Sequence, residues 1–397
     1  MKIKEIVARK IPDSRKEDTI DVSVKTNYGR FSASAPSGKS KGKNETPAFV
    51  KNINDSIKKV TELNDKIKSM NFEQFSDLGE LEKIADKKFI GANTLFALET
   101  AILKALAVEQ KKELWQIIND KAKRFPCPVG NCIGGGLHSD LKVKPDFQEF
   151  LVIPRARNFA DNVFIMGEAH RILGEKLEAR KNRFGFSDEN GWKTSLNNEA
   201  VIDMLDSTRN ELEESSEERV DIGVDAASSS FSSGKNYIYK NPLKVLEKNE
   251  QIDYIADLVE NYKIGYIEDP LYEEDFEGFA DLRRKIIDMI PALVVGDDLI
   301  ASQVDRLKQS LVKRSVNSII VKPNQTGSLL EIKKLVELAK KYEIVTIMSH
   351  RSGETMDYAL ADLAFGFQTE FIKTGVIGKE REVKLKRMIA IEQNLLK

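Results

Sequence analysis

Six polar residues, Asp225, Glu268, Asp297, Lys322, His350 and Lys373, follow one another at separations of 43, 29, 25, 28 and 23 residues, each long enough for one strand and one helix. Each closes a short apolar run rich in β-branched residues, from 220–224 through to 371–372. Parallel strands closed into a barrel point their C-terminal ends to one mouth, so these six side chains should converge there. Asp225, Glu268 and Asp297 would supply hard oxygen ligands suited to Mg²⁺. Lys322 is a candidate general base if burial and neighbouring cations lower its pKa. His350, Arg351 and Lys373 would hold an anion, the arginine being able to grip phosphate or carboxylate through two parallel hydrogen bonds. An acidic residue after a strand often does no more than cap the next helix. Three in consecutive units, with a lysine in the next, point instead to metal-assisted chemistry on an anion, without saying which anion.

The elements that must position these residues read as two parts. Apolar runs at 147–153, 220–224, 264–267, 292–295, 318–321, 344–348 and 371–372 alternate with amphipathic stretches such as 302–313 and 328–341. That alternation predicts an α/β fold with a parallel sheet, and this many units favour a closed barrel. Ahead of it, 3–10, 19–27 and 30–35 read as a three-stranded meander with Gly29 in the second turn. From about 47 to 120 the pattern is helical, with Val50, Ile53, Ile57, Val60 and Leu63 at spacings of three and four, and Asn93 is a candidate N-cap. The expected division is an α+β cap over 1–128 and a barrel over 129–397, with the Pro126-Cys127-Pro128 region as linker. Residues 187–218 read as polar and irregular, and 227–243, rich in Ser, Gly and Asn, as an exposed loop.

Composition narrows the partners. Sixty-two Lys and Arg balance 63 Asp and Glu for a net charge of -1, which argues against nucleic acid or an anionic membrane as the main partner. There is no run of 18 apolar residues to span a membrane, and the start, Met1-Lys2-Ile3-Lys4-Glu5, carries charge where a signal peptide needs an apolar stretch. Cys127 and Cys132 match no zinc motif and are read as thiols in a reducing compartment, so a cytoplasmic protein is expected. His170 and Trp115 are expected to pack, and the acidic run 211–218 to be a solvated helix end or loop.

Beyond these patterns, several runs resemble the enolase family. Residues 349–355, Ser-His-Arg-Ser-Gly-Glu-Thr, look like its signature near the C-terminal strands, and 321–329 resemble its Lys-x-Asn-Gln-x-Gly-(Thr/Ser)-Leu segment. Gly296-Asp297-Asp298-Leu299, Ile267-Glu268-Asp269-Pro270 and Gln148-Glu149-Phe150 are similar too, as are Asp13-Ser14-Arg15 and the loop from Pro36 to Gly42. The resemblance runs from about residue 3 to the end, in order. It implies an α+β cap followed by an enolase-type (β/α)8 TIM barrel with a ββαα start. It also implies an activity, the reversible dehydration of 2-phosphoglycerate to phosphoenolpyruvate, with two Mg²⁺ per site. By that likeness Asp225, Glu268 and Asp297 match the ligands of one metal and Ser40 a ligand of the second. Lys322 matches the base at C2, and Glu189, with Glu149 beside it, the acid at the C3 hydroxyl. His138, Glu149, Glu268, Asp297, His350, Arg351, Ser352 and Lys373 match substrate-binding positions. A homodimer, or an octamer of dimers, is implied as well.

The sequence departs from the family pattern on loops. Around Glu189 it reads Ser187-Asp188-Glu189-Asn190-Gly191-Trp192, where Gly-Asp-Glu-Gly-Gly-Phe is usual. Lys39 and Lys41 replace small residues, Gly134 replaces an Asn, and the stretch from His138 to Glu149 is about two residues longer than typical. These departures keep open an alternative, an enolase-like paralogue of weak or no activity serving as a binding or scaffold protein. A third reading is a dehydratase or racemase of the wider superfamily acting on another acid.

Overall fold

A computed structural model of the chain describes residues 1–39 and 42–396. The N-terminal sheet is antiparallel, with β1 (Glu5–Pro12), β2 (Asp18–Thr26) and β3 (Gly29–Ser34) in sequence order, as the meander predicts. Gly29 turns at φ +135°, a conformation that suits glycine. On the central strand β2, Ile20, Val22 and Val24 are fully buried. The helix Ala92–Glu109 packs on this sheet and is apolar nearly all round, because the sheet covers one side and the rest of the protein the other.

That helix is capped by Gly91, not by Asn93. Gly91 sits at φ +87°, and a Cβ there would come within 2.6 Å of the Ala48 carbonyl oxygen. Asn93 is instead buried inside the first turn, where its amide donates to the Pro36 carbonyl at 3.0 Å and accepts from Asn324 at 3.0 Å. It therefore ties the cap loop to the segment that follows Lys322.

The second part is a closed barrel of β4 (Cys127–Gly134), β5 (Glu149–Pro154), β6 (Val220–Asp225), β9 (Tyr266–Glu268), β10 (Leu293–Gly296), β11 (Ser318–Val321), β12 (Val345–Ser349) and β13 (Phe371–Lys373). The hairpin β7 (Asn236–Lys240) and β8 (Leu243–Glu247) lies outside it. β5 runs antiparallel to both β4 and β6, and the remaining neighbours are parallel, which is the ββαα start. Val129, Leu151, Ile153, Tyr266, Val295, Ile320, Ile347 and Phe371 fill the interior as a core of their own. A barrel packed in this way is a platform whose chemistry belongs at its rim.

Three readings of the sequence are corrected here. Cys127 and Pro128 are not linker: Cys127 opens β4 in register with Phe371. The stretch 187–218 holds the regular helix Asn198–Ser216, whose buried face carries Val201, Ile202, Met204, Leu205 and Leu212 while its acidic end is exposed. The stretch 227–243 holds most of the β7–β8 hairpin, in which Tyr237 and Tyr239 point inward and Ile238 and Lys240 outward, the two-residue period of a strand. Trp115 is core, and His170 is buried on the helix Phe159–Ala179, as expected. Among the described residues no helix is long and apolar enough to cross a membrane.

Candidate active site

Strand register sets the site. β6, β9, β10, β11, β12 and β13 bring their C-terminal ends to one mouth, and antiparallel β5 brings its first residue, Glu149, to the same place, level with Asp225. Asp225 is in turn level with Glu268. β11 lies four strands from β5 around the eight-stranded barrel, so Lys322 and Glu149 face each other across the opening. Every residue predicted for the site lines one cavity of about 270 Å³, except Ser40, which lies outside the described residues.

One wall is acidic. The buried Lys373 ammonium stands 2.8 Å from Glu149, 2.8 Å from Glu268 and 3.6 Å from Asp225. Burial works to lower the Lys373 pKa, but these carboxylates outweigh it and hold it well above the usual lysine range. Burial and the Glu268 charge push Asp225 well up. Tyr266 donates to Glu268 at 2.6 Å from inside the barrel. Asp297 is ion-paired with Lys322, and its Oδ1 is buried with no hydrogen-bond partner among the described residues. Burial would raise Asp297, and the lysine beside it holds it low. For Lys322, burial and Arg351 favour the neutral amine, but Asp297 outweighs them and raises its pKa. Asp269, at φ +39°, accepts the backbone N–H groups of Asp297 and Asp298 at 3.0 and 2.8 Å, fixing the turn that presents Asp297.

Asp297, whose Oδ1 has no hydrogen-bond partner, offers a carboxylate oxygen within 4.8 Å of those of Asp269 and Asp298, a set of hard oxygen donors that fits a divalent cation. Asp225, Glu268 and Asp297, the trio expected from the sequence, line the same cavity but do not come together as one such group among the described residues.

Paired carboxyl groups continue this acidic wall past Glu149. His138, Glu149 and Glu189 offer ligand-type atoms within 4.8 Å of one another. Burial and the charge of Glu189 raise Glu149 well above the carboxylate range. Burial would raise Glu189 too, but the adjoining imidazoles of His350 and His138 outweigh it and hold it well below. Two such groups pushed apart in pKa can keep one proton between them near neutrality.

The cap closes another side. Buried Arg351 is gripped by both oxygens of Glu45, at 3.0 and 2.9 Å. The Ser352 hydroxyl accepts from the Lys39 backbone N–H at 2.9 Å and from Arg15 at 3.1 Å. Gly38 is required here, because a Cβ would overlap the Arg351 guanidinium at 1.9 Å. Lys39 reaches across to Asp188, 2.7 Å away, next to Glu189. Sequence reasoning assigned no role to Glu45, Asp269 or Arg381. Asp269 carried a signal, since it follows Glu268 in a run already singled out; Glu45 and Arg381 follow no strand and carried none.

Comparison with known proteins places the two parts of the chain in one family. Residues 3–118 match the family model of the enolase N-terminal domain, and residues 122–397 that of the enolase C-terminal TIM barrel domain. The chain is 36% identical to the enolase of Methanosphaera stadtmanae, with 99% of this chain and 97% of that protein covered. It is 37% identical to the enolase of Methanocorpusculum labreanum and 34% identical to that of Picrophilus torridus, each over 99% of both chains.

Proposed function

The chain belongs to the enolase family of carbon–oxygen lyases, and from that premise we propose that it interconverts 2-phosphoglycerate and phosphoenolpyruvate. The observation that carries the proposal is the placement of Lys322 across the mouth from the Glu149–Glu189 pair, with Asp225, Glu268 and Asp297 between them.

In this reading Lys322 Nζ takes the proton from C2, and the electron pair moves into the substrate carboxylate as an enediolate. The hydroxyl at C3 then leaves with a proton from Glu189 as water, and the C2–C3 double bond forms. Mg²⁺, expected at two sites with Ser40 serving the second, would supply positive charge to the enediolate, and a lysine or histidine base working with magnesium is established chemistry for this superfamily. Lys322 must be neutral to act. Burial and Arg351 favour that form, while Asp297 opposes it and has to be engaged elsewhere. Arg351, Ser352, His138, His350 and Lys373 would hold and orient the anionic substrate. Glu149 would store the proton that Glu189 delivers, which its raised pKa allows.

The same proposal includes a homodimer or octamer acting in the cytoplasm. It ends the cap at 126 and begins the barrel at 127, two residues earlier than the expected 1–128 and 129–397, because Cys127 and Pro128 lie in β4. The test is ultraviolet absorbance of the enol phosphate formed from 2-phosphoglycerate, with and without Mg²⁺, beside Lys322→Ala. Metal-dependent activity that falls by about 10²–10⁴-fold in the variant is expected. A folded protein that binds Mg²⁺ and turns over nothing would support the scaffold reading instead.

A further inference from the structure

Arg381 is among the largest fully buried side chains of the described residues, and it lies just inside the helix Lys379–Leu395, on no barrel strand. Its guanidinium is spent on the mouth. Nη1 stands 2.9 Å from His350 Nδ1 and donates to the Arg351 carbonyl at 2.9 Å. Nη2 donates to the Ser352 carbonyl at 2.8 Å and to the Asp188 carbonyl at 3.3 Å. One side chain thus joins the turn after β12 to the loop that carries Glu189.

The contact with His350 has a definite direction. A guanidinium in a protein is always charged and has donors only. His350 Nδ1 must therefore be the acceptor and carries no proton, so the proton of the neutral ring sits on Nε2. Nε2 lies 3.4 Å from Glu189 Oε2, without hydrogen-bond geometry, and has no hydrogen-bond partner among the described residues. The charged groups facing the ring are Glu189 across the mouth, Arg381 from the C-terminal helix, and Glu354 on its own loop, itself paired with Lys384.

We propose that Arg381 is a positioning residue that locks His350 as the neutral Nε2–H tautomer, with its one ring proton on the side that faces Glu189. The Asn131 amide already donates to Glu189 Oε2 at 3.4 Å, which leaves Oε1 as the oxygen that takes up and releases the proton. The burial of His350 also favours the neutral ring, pushing it down to about 4. This inference rests on the reading of Glu189 as the acid.

The experiment is nitrogen NMR of histidine-labelled protein, practicable because the chain has three histidines and variants of His138 and His170 identify their signals. In the wild-type protein the His350 resonances should show a bare Nδ1 and a protonated Nε2, unchanged from about pH 5 to 8. Arg381→Met, checked for native fold, should let Nδ1 take a proton as the pH falls. Its turnover should then gain an acid limb, with kcat falling more than KM changes. Arg381→Lys keeps a cationic donor and should restore the tautomer and flatten the limb. A protonated Nδ1 in the wild-type protein, or a folded Arg381→Met with His350 unchanged, overturns the proposal. If the methionine variant does not fold, the wild-type and lysine spectra decide. The expected tautomer in a protein without hydratase activity would uphold the role of Arg381 toward His350 and refute the reaction instead.

Discussion

Replacing Lys384 with methionine should unsettle the active site from a distance. Lys384 and Glu354 are 2.7 Å apart, with side chains 2% and 4% exposed. The same ammonium donates to the carbonyls of Thr355 and Glu380 at 2.9 and 2.7 Å. Glu354 in turn accepts the Arg351 backbone N–H at 3.2 Å, and its own backbone is tied to Ser14 of the cap. Because both partners are nearly dry, solvent gives little relief when one is removed. Breaking such a pair from one side costs about 3–5 kcal/mol, since a charge is left buried and alone. Lys384→Met should therefore be destabilised by that order, and Lys384→Met/Glu354→Gln, which buries no lone charge, by clearly less than the sum of the single changes. The coupling should reach about 2 kcal/mol. Urea unfolding followed by tryptophan fluorescence at one fixed protein concentration measures it, provided the m-values agree. Additive effects, with coupling under about 0.5 kcal/mol, would refute the claim that this pair fastens the turn bearing Arg351.

Other outcomes follow from the same geometry. The Lys39–Asp188 pair is 44% and 27% exposed, so Lys39→Ala should cost about 0–1 kcal/mol at most, with any rise in KM for the substrate fading in high salt. Glu189→Gln should lower kcat by roughly 10²–10⁴-fold while the urea midpoint stays near the wild-type value, which steady-state kinetics beside unfolding will check. Burial pushes the Cys127 thiol up to about 11 and Cys132 further, so neither should react with iodoacetamide in the native protein at mildly alkaline pH, and both should react in urea. Gly134→Ala should lose about 1–3 kcal/mol by overpacking, because its Cβ would lie 2.5 Å from the Ser187 hydroxyl, and Ser187→Gly should recover most of the loss.

What the sequence disclosed depended on whether an element could be read locally. Strand ends such as Ile320-Val321-Lys322 were legible, because a β-branched run stopping at a charge marks where a buried strand meets the rim. β4 was not, because Pro126 and Pro128 flank its start and signal a turn, while only pairing with β13 shows that Cys127 belongs to a ladder. The helix Asn198–Ser216 was hidden by its many acidic residues, which all lie on the side away from Val201 and Leu205. In the site, Asp225, Glu268, Asp297 and Lys322 followed from strand spacing. Glu189 lies on a loop between a helix and a further loop, and family likeness alone pointed to it. Glu45 and Arg381 reach the mouth from elements hundreds of residues away from some of their partners, which no local pattern records.

The departures on the loops are better understood as one substitution set than as separate defects. Trp192 stands where the family has phenylalanine. Its ring stacks on His170 at 5.0 Å and packs tilted against Phe186 at 4.4 Å, its indole N–H donates to the His170 carbonyl at 2.8 Å, and it occupies the space over Gly174. Its backbone pairs with Cys132 and Gly134 on β4. The side chain at position 134 has no room, since Ser187 already fills it. Asn190 replaces a glycine at φ +65°, a conformation asparagine tolerates better than most residues. Its carbonyl accepts from His170 Nε2 at 2.9 Å, and its amide lies against Gly378, just before the helix that carries Arg381. Tryptophan, serine, asparagine and the two glycines thus account for one another sterically, and together they pin both ends of the turn on which Glu189 sits. A loop rebuilt to leave Glu189 buried between His138 and His350 has been altered around its chemistry and not away from it, which favours a working lyase over a scaffold.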